Sequence, residues 1–127
     1  MTLQPEHVYA LLDAQGGIRT TPGGGEFWSQ PDATLDALGR DWLVSEFSCD
    51  TDWASWEMHP EADEFVYLLD GDIDFLLQAP DGAQTSRRIT GRGAVVVPRG
   101  HWHTAKVHRA SRMFFITMGA GTQHRPA

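Results

Sequence analysis

From residue 41 onward, apolar and polar side chains alternate in short runs broken by Gly, Pro and Asp. Period-two alternation puts successive side chains on opposite faces of a strand. The runs predict strands over residues 41–48, 53–59, 64–70, 72–78, 85–90, 94–97, 102–107 and 112–118. Asp70-Gly71 stands between VYLL and DIDFLL and reads as a hairpin turn. Pro80-Asp81-Gly82 joins the next pair, and Gly91, Gly93, Pro98 and Gly100 mark later turns. Many short strands at this spacing predict an all-β sandwich or barrel.

The first forty residues carry less pattern. Pro5 to Leu12 can open a short helix or enter a sheet as a strand. Gly16-Gly17 and Pro22-Gly23-Gly24-Gly25 make residues 13–26 read as loop. Phe27-Trp28 is expected to pack over an apolar surface, and residues 31–40 to form one or two helical turns ending at Gly39. The expected organisation is one domain, with an irregular packing segment over residues 1–40 and the barrel over residues 41–127.

The faces of two strands add detail. In 64–70, Glu64, Val66 and Leu68 share one face and Phe65, Tyr67 and Leu69 the other, so both faces are expected to be covered. In 53–59, Trp53, Ser55, Glu57 and His59 oppose Ala54, Trp56 and Met58. This predicts a polar, functional interior, with the outer face covered by the N-terminal segment or a second subunit.

Composition narrows the class. The chain has 127 residues and a formal charge of −7. That acidic balance argues against a nucleic-acid partner. No apolar run approaches the roughly 20 residues of a membrane span, so no membrane partner is expected. Residues 1–13 lack the basic start and apolar core of a signal peptide. Cys49 is the lone cysteine, which excludes an internal disulfide framework and fits a cytoplasmic location. All seventeen acids precede Gly82, and eight of the ten Lys and Arg residues follow it. The split reads as two halves of one sheet whose charges meet across strands.

The chemistry concentrates at three places. His59 and Glu64 flank the turn Pro60-Glu61-Ala62-Asp63, and His103 follows Pro98-Arg99-Gly100-His101-Trp102. Two imidazoles and a carboxylate can hold one divalent metal, in a triad that suits iron and also admits zinc, manganese, nickel or copper. Glu57 shares the strand face of His59 and is a fourth candidate ligand. Tyr67, Trp56 and Trp102 read as packing groups; His7, His108 and His124 have no partner pattern.

These residues resemble the two motifs of the cupin superfamily. The first motif runs Gly, five residues, His-x-His, three or four residues, Glu, six residues, Gly. His59 falls on its second histidine, Glu64 on its glutamate and Gly71 on its closing glycine, while Glu57 stands for the first histidine and Thr51 for the opening glycine. Gly93 to His103 resembles the second motif, in which Pro-x-Gly-x-x-His supplies the last ligand; His103 takes that place over His101, and Val107 replaces the usual asparagine. The resemblance covers residues 53–107. It implies a double-stranded β-helix, or jelly-roll barrel, that forms a homodimer. It also implies one divalent metal (Fe, Zn, Mn, Ni or Cu) on His59, Glu64, His103 and Glu57.

Three functions compete on this reading. The first is a metal-dependent enzyme of oxygenase, isomerase or decarboxylase type acting on a small molecule, with Glu57 and Glu64 as the catalytic candidates. The second is a non-enzymatic small-ligand or metal-binding sensor. The third is a vestigial cupin without metal.

Overall fold

In a computed structural model that describes residues 2–127, the chain forms antiparallel strands with two short helices. In chain order these are β1 (Val8–Leu12), β2 (Ile18–Pro22), α1 (Gly25–Trp28), α2 (Asp32–Leu38), β3 (Trp42–Cys49), β4 (Ser55–Met58), β5 (Glu64–Gln78), β6 (Gln84–Val97), β7 (Trp102–Thr117) and β8 (Gln123–Pro126). The architecture is an all-β jelly-roll barrel. No helix of the described residues is long and apolar enough to cross a membrane.

Long bent strands replace several of the expected short ones. Asp70-Gly71 is not a hairpin turn: β5 runs straight through it. The ladder to β6 shifts register between Leu68 and Gly71, which marks a bulge. A bulge inserts one residue and flips the alternation. Val66 and Leu68 point inward before it, and Ile73, Phe75 and Leu77 after it. Gly71 has φ 147°, and a Cβ there would lie 2.1 Å from Ser111 Oγ and 2.7 Å from Ser111 Cα. The Asp-Gly pair signals a backbone that only glycine adopts easily; here that backbone serves a corner rather than a reversal. Gly91, which faces Gly71 across the ladder, plays the same part in β6. The β5–β6 reversal lies at residues 79–83, as Pro80-Asp81-Gly82 predicts, closed by Ala79 N–H donating to Ala83 O at 2.9 Å.

β7 is shared by three neighbours. It pairs with β5 along its length, and on its other edge with β4 and then β3. The core between the layers is Val66, Leu68, Ile73, Phe75, Leu77, Ile89, Val97, Ala105 and Met113.

The N-terminal residues are more regular than their sequence suggests. β1 and β2 form a hairpin that extends the sheet from β3, and part of the expected 13–26 loop is β2. α2 ends at Gly39, as expected. Phe27, Tyr9, Leu11 and Leu43 make a second buried cluster with Leu35 and Leu38 against it. The irregular reading failed because β2 (IRTTP) is mostly exposed and has no apolar face to alternate.

On the outer face of β4, the side chain of Arg125 from the neighbouring strand β8 lies over Trp56. The Arg125 guanidinium lies 5.2 Å from the Trp56 ring and 4.3 Å from the Trp102 ring, and also donates to Gln78 Oε1. A flat cation over aromatic faces fits such a slot. On the outer face of β5, Phe65 is 39% exposed and its partner Val96 on β6 58%.

The acidic and basic halves meet across the strands. Arg88 Nε donates to Asp72 Oδ1 at 2.6 Å, Arg109 reaches Asp70 at 3.2 Å and Arg112 reaches Glu46 at 3.2 Å. These pairs are exposed and each contributes little; together they match β5 to β6 and β7, and β3 to β7.

Candidate metal centre

Glu57 lies on β4, His59 just past its end, Glu64 opens β5, and His103 lies near the start of β7. Sheet register explains their convergence. Glu57 is the cross-strand partner of His103, and Glu64 starts the strand that pairs with β7 on its other edge. The turn from His59 to Glu64 is tied to the turn before β7: Gly100 N–H donates to His59 O and Arg99 N–H to Asp63 Oδ1, each at 2.9 Å. Two hydrogen bonds thus tie the two motif turns together.

The geometry is tight. Glu64 Oε1 lies 3.4 Å from His59 Nε2 and 3.1 Å from His103 Nε2. Glu57 Oε2 lies 3.9 and 3.7 Å from the same two nitrogens. Donor atoms of Glu57, His59 and His103 all lie within 4.8 Å of one another. His59, Glu64 and His103 are buried, while Glu57 is partly open to the cavity.

The far side of each ring fixes its tautomer. Thr122 Oγ1 donates to Gly119 O at 2.6 Å, which commits its proton. Its oxygen is 2.7 Å from His59 Nδ1, so that nitrogen is the donor. His103 Nδ1 faces His101 O, a carbonyl that can only accept, at 3.4 Å. A neutral imidazole that donates from Nδ1 carries its lone pair on Nε2. Both Nε2 atoms are buried without a hydrogen-bond partner, although each faces Glu64. Two lone pairs aimed at carboxylate oxygens repel unless a cation lies between them. The residues present therefore fit a divalent metal, with the outer hydrogen bonds orienting the imidazoles as metal ligands are oriented.

The protonation equilibria tell the same story. Burial works against charge on His59, but the adjacent carboxylate of Glu64, with the charge of Glu57, outweighs it and raises its pKa. Burial would push Glu64 up, yet the two imidazoles hold it down to about 2. The site attracts positive charge, as a proton or as a metal.

His124, on β8, is a member of the site that its sequence context did not disclose. Its Nε2 lies 3.2 Å from Glu57 Oε1, on the register pair Glu57–His124, and the carboxylate raises its pKa. The signal was confined to the short alternation Gln123-His124-Arg125, too brief to place a strand. Thr122 was missed for a plainer reason: its role exists only through the fold. His101 stays outside the cluster, with Nδ1 3.5 Å from Arg99 O. Tyr67 faces outward, where its hydroxyl accepts from Arg92 Nε, and His108 pairs with Asp74.

The cluster opens into a cavity of about 910 Å³ that runs from the metal candidates to α1 and α2. A smaller depression of about 380 Å³ lies elsewhere, beside Arg87 and His101.

No protein-family model and no curated protein matches the chain. Solved structures do. Procruciferin, an 11S globulin of Brassica napus, superposes with TM-score 0.57 at 13% identity over 74% of this chain and 24% of its own. Oxalate oxidase in complex with the substrate analogue glycolate gives 0.53 at 17% identity over 65% and 44%. The Fe(II) form of HppE with the alternative substrate (S)-1-HPP gives 0.51 at 12% identity over 60% and 42%. The chain has the cupin fold. The aligned region spans less than half of each of these three proteins. In this barrel the carboxylates of Glu57 and Glu64 both face the Nε2 atoms of His59 and His103.

Proposed function

We propose that the protein binds one divalent first-row metal ion through His59, His103, Glu64 and Glu57, and acts on a small molecule held in the adjoining cavity. The observation that carries this reading is the pair of buried, unpartnered Nε2 atoms facing carboxylates. Two imidazoles with two carboxylates make a harder donor set than three imidazoles with one, which favours iron, manganese or zinc over copper.

When bound, the ion polarises a substrate oxygen or organises dioxygen. The chain supplies the rest. Glu57 is open to the cavity and accepts from His124 Nε2 at 3.2 Å, so its carboxylate can take a proton from a bound molecule while His124 holds it in place. Glu64 stays ionised as a fixed negative charge. This arrangement supports oxygenase-, isomerase- or decarboxylase-type chemistry. The alternative is a binding module that uses the same residues without turnover.

Elemental analysis of protein purified without chelator should find close to one metal per chain. His59→Ala should lose that metal and any turnover together; activity kept in metal-free His59→Ala protein would sink the reading. The exposed pair Phe65 and Val96 supports a homodimer through the outer face of β5 and β6. Light scattering should give twice the chain mass, and Phe65→Asp should give a monomer.

A further inference from the structure

The walls of the cavity carry an unusual charge balance. Among the described residues they include five carboxylates, Asp32, Asp36, Asp52, Glu57 and Glu64, and no Lys or Arg. Its basic groups are the imidazoles His59 and His124, and both face carboxylates. Glu57 and Glu64 together match the charge of a divalent ion. Lys106 lies 3.8 Å from Asp52 and offsets it from outside. Asp32 and Asp36, on α2, are solvent-exposed and among the described residues pair with no Lys or Arg; Asp36 accepts a backbone N–H from Gly121 at 3.0 Å.

The rest of the lining is apolar and aromatic. Phe27, Trp28, Trp53 and Phe115 line it with Leu35 and Leu43. Along β3 and β7 the wall also offers neutral hydroxyls, with Thr117 beside Glu64 in the register, since Phe65 pairs with Ile116. Ser45 and Thr117 are buried there, and Thr117 Oγ1 has no hydrogen-bond partner. A buried hydroxyl without a partner is expensive to maintain unless a ligand or water completes it. A volume of about 910 Å³ is at the upper end of small-molecule sites, which hold roughly 300–1,000 Å³.

We infer that the cavity selects an uncharged or cationic molecule with an aromatic body, an aromatic alcohol or amine, and excludes carboxylates. Two features on the page act together. The second carboxylate at Glu57 makes a loaded centre electrically neutral, so the centre does not draw an anion. Asp32 and Asp36, exposed on α2, add a weaker repulsion of anions at the mouth that salt screens. The aromatic walls supply the contact area, and Thr117 fixes a polar group beside Glu64. This inference rests on the barrel being a small-molecule site, as proposed above.

The test uses three probes with one ring system and three charges: 1-naphthylmethylamine, 1-naphthylmethanol and 1-naphthoate. Each is titrated by calorimetry into the full chain, with and without added manganese, and metal content is measured on the same samples. The amine and the alcohol should bind at least about tenfold more tightly than naphthoate. The double variant Asp32→Asn, Asp36→Asn should recover naphthoate binding by about threefold at low salt and leave the alcohol unchanged. Naphthoate binding as well as the alcohol, or no probe binding at all, overturns the inference. The metal reading fails separately: protein that takes up no manganese but ranks the probes as stated loses the metal and keeps the ligand class.

Discussion

Thr122 sets the tautomer of His59. Its hydroxyl proton is held by Gly119 O, so its oxygen can only accept from His59 Nδ1 at 2.7 Å. Nε2, which faces Glu64, is thereby left with its lone pair. Thr122→Val keeps the shape and removes the acceptor. Metal affinity should fall about 10–100-fold, read by competition with a chelator of known strength, while the melting temperature of metal-free protein changes little.

Glu57 distinguishes this donor set from the motif it resembles. Glu57→His should supply a third imidazole and raise the net charge of a loaded centre by one. Copper and nickel should gain affinity relative to manganese, measured as uptake ratios in a mixed-metal incubation. Unchanged ratios would place Glu57 outside the ligand set.

Metal-free protein should lose stability as pH rises above neutrality. The folded pKa of His59 is raised above its unfolded value of about 6.5. Its stabilisation is therefore complete below about pH 6.5 and lost as pH climbs through the folded value. His124 shifts the same way. Glu64 acts at the acid end: its pKa is held down to about 2, so its stabilisation is present above the unfolded value of about 4.3 and lost as pH falls towards about 2. Added metal should reverse the alkaline trend, because ligation needs deprotonated imidazoles. Thermal unfolding from pH 5 to 9, with chelator and with manganese, reads both slopes.

Gly71→Ala should destabilise the barrel by about 3 kcal/mol, combining a strained φ with a clash on the Ser111 backbone. Chemical denaturation measures it. A change below about 0.5 kcal/mol would mean that the corner relaxes freely.

The sequence made the barrel legible wherever alternation was clean, and the same alternation misled at the corner. Ile73, Phe75 and Leu77 sit on odd positions while Val66 and Leu68 sit on even ones. That parity flip is the mark of a bulge, but an Asp-Gly pair at the flip imitates a turn. His59, Glu64 and His103 were legible because motif spacing is local to each turn. His124 and Thr122 were not, because their roles arise from pairing with residues more than sixty positions away. Arg125 was hidden for the same reason: nothing near it in the chain announces that Trp56 and Trp102 form its slot.

β7, shared by β3, β4 and β5, also governs how the molecule can fold. Leu43 must find Thr117, and Glu57 must find His103, before either sheet edge is closed. Long-range antiparallel pairing of this kind is slow, on the order of milliseconds to seconds. The four candidate ligands meet only once β7 is seated, so metal uptake would follow barrel closure instead of nucleating it. The rate at which freshly diluted protein captures manganese would then report the last step of folding.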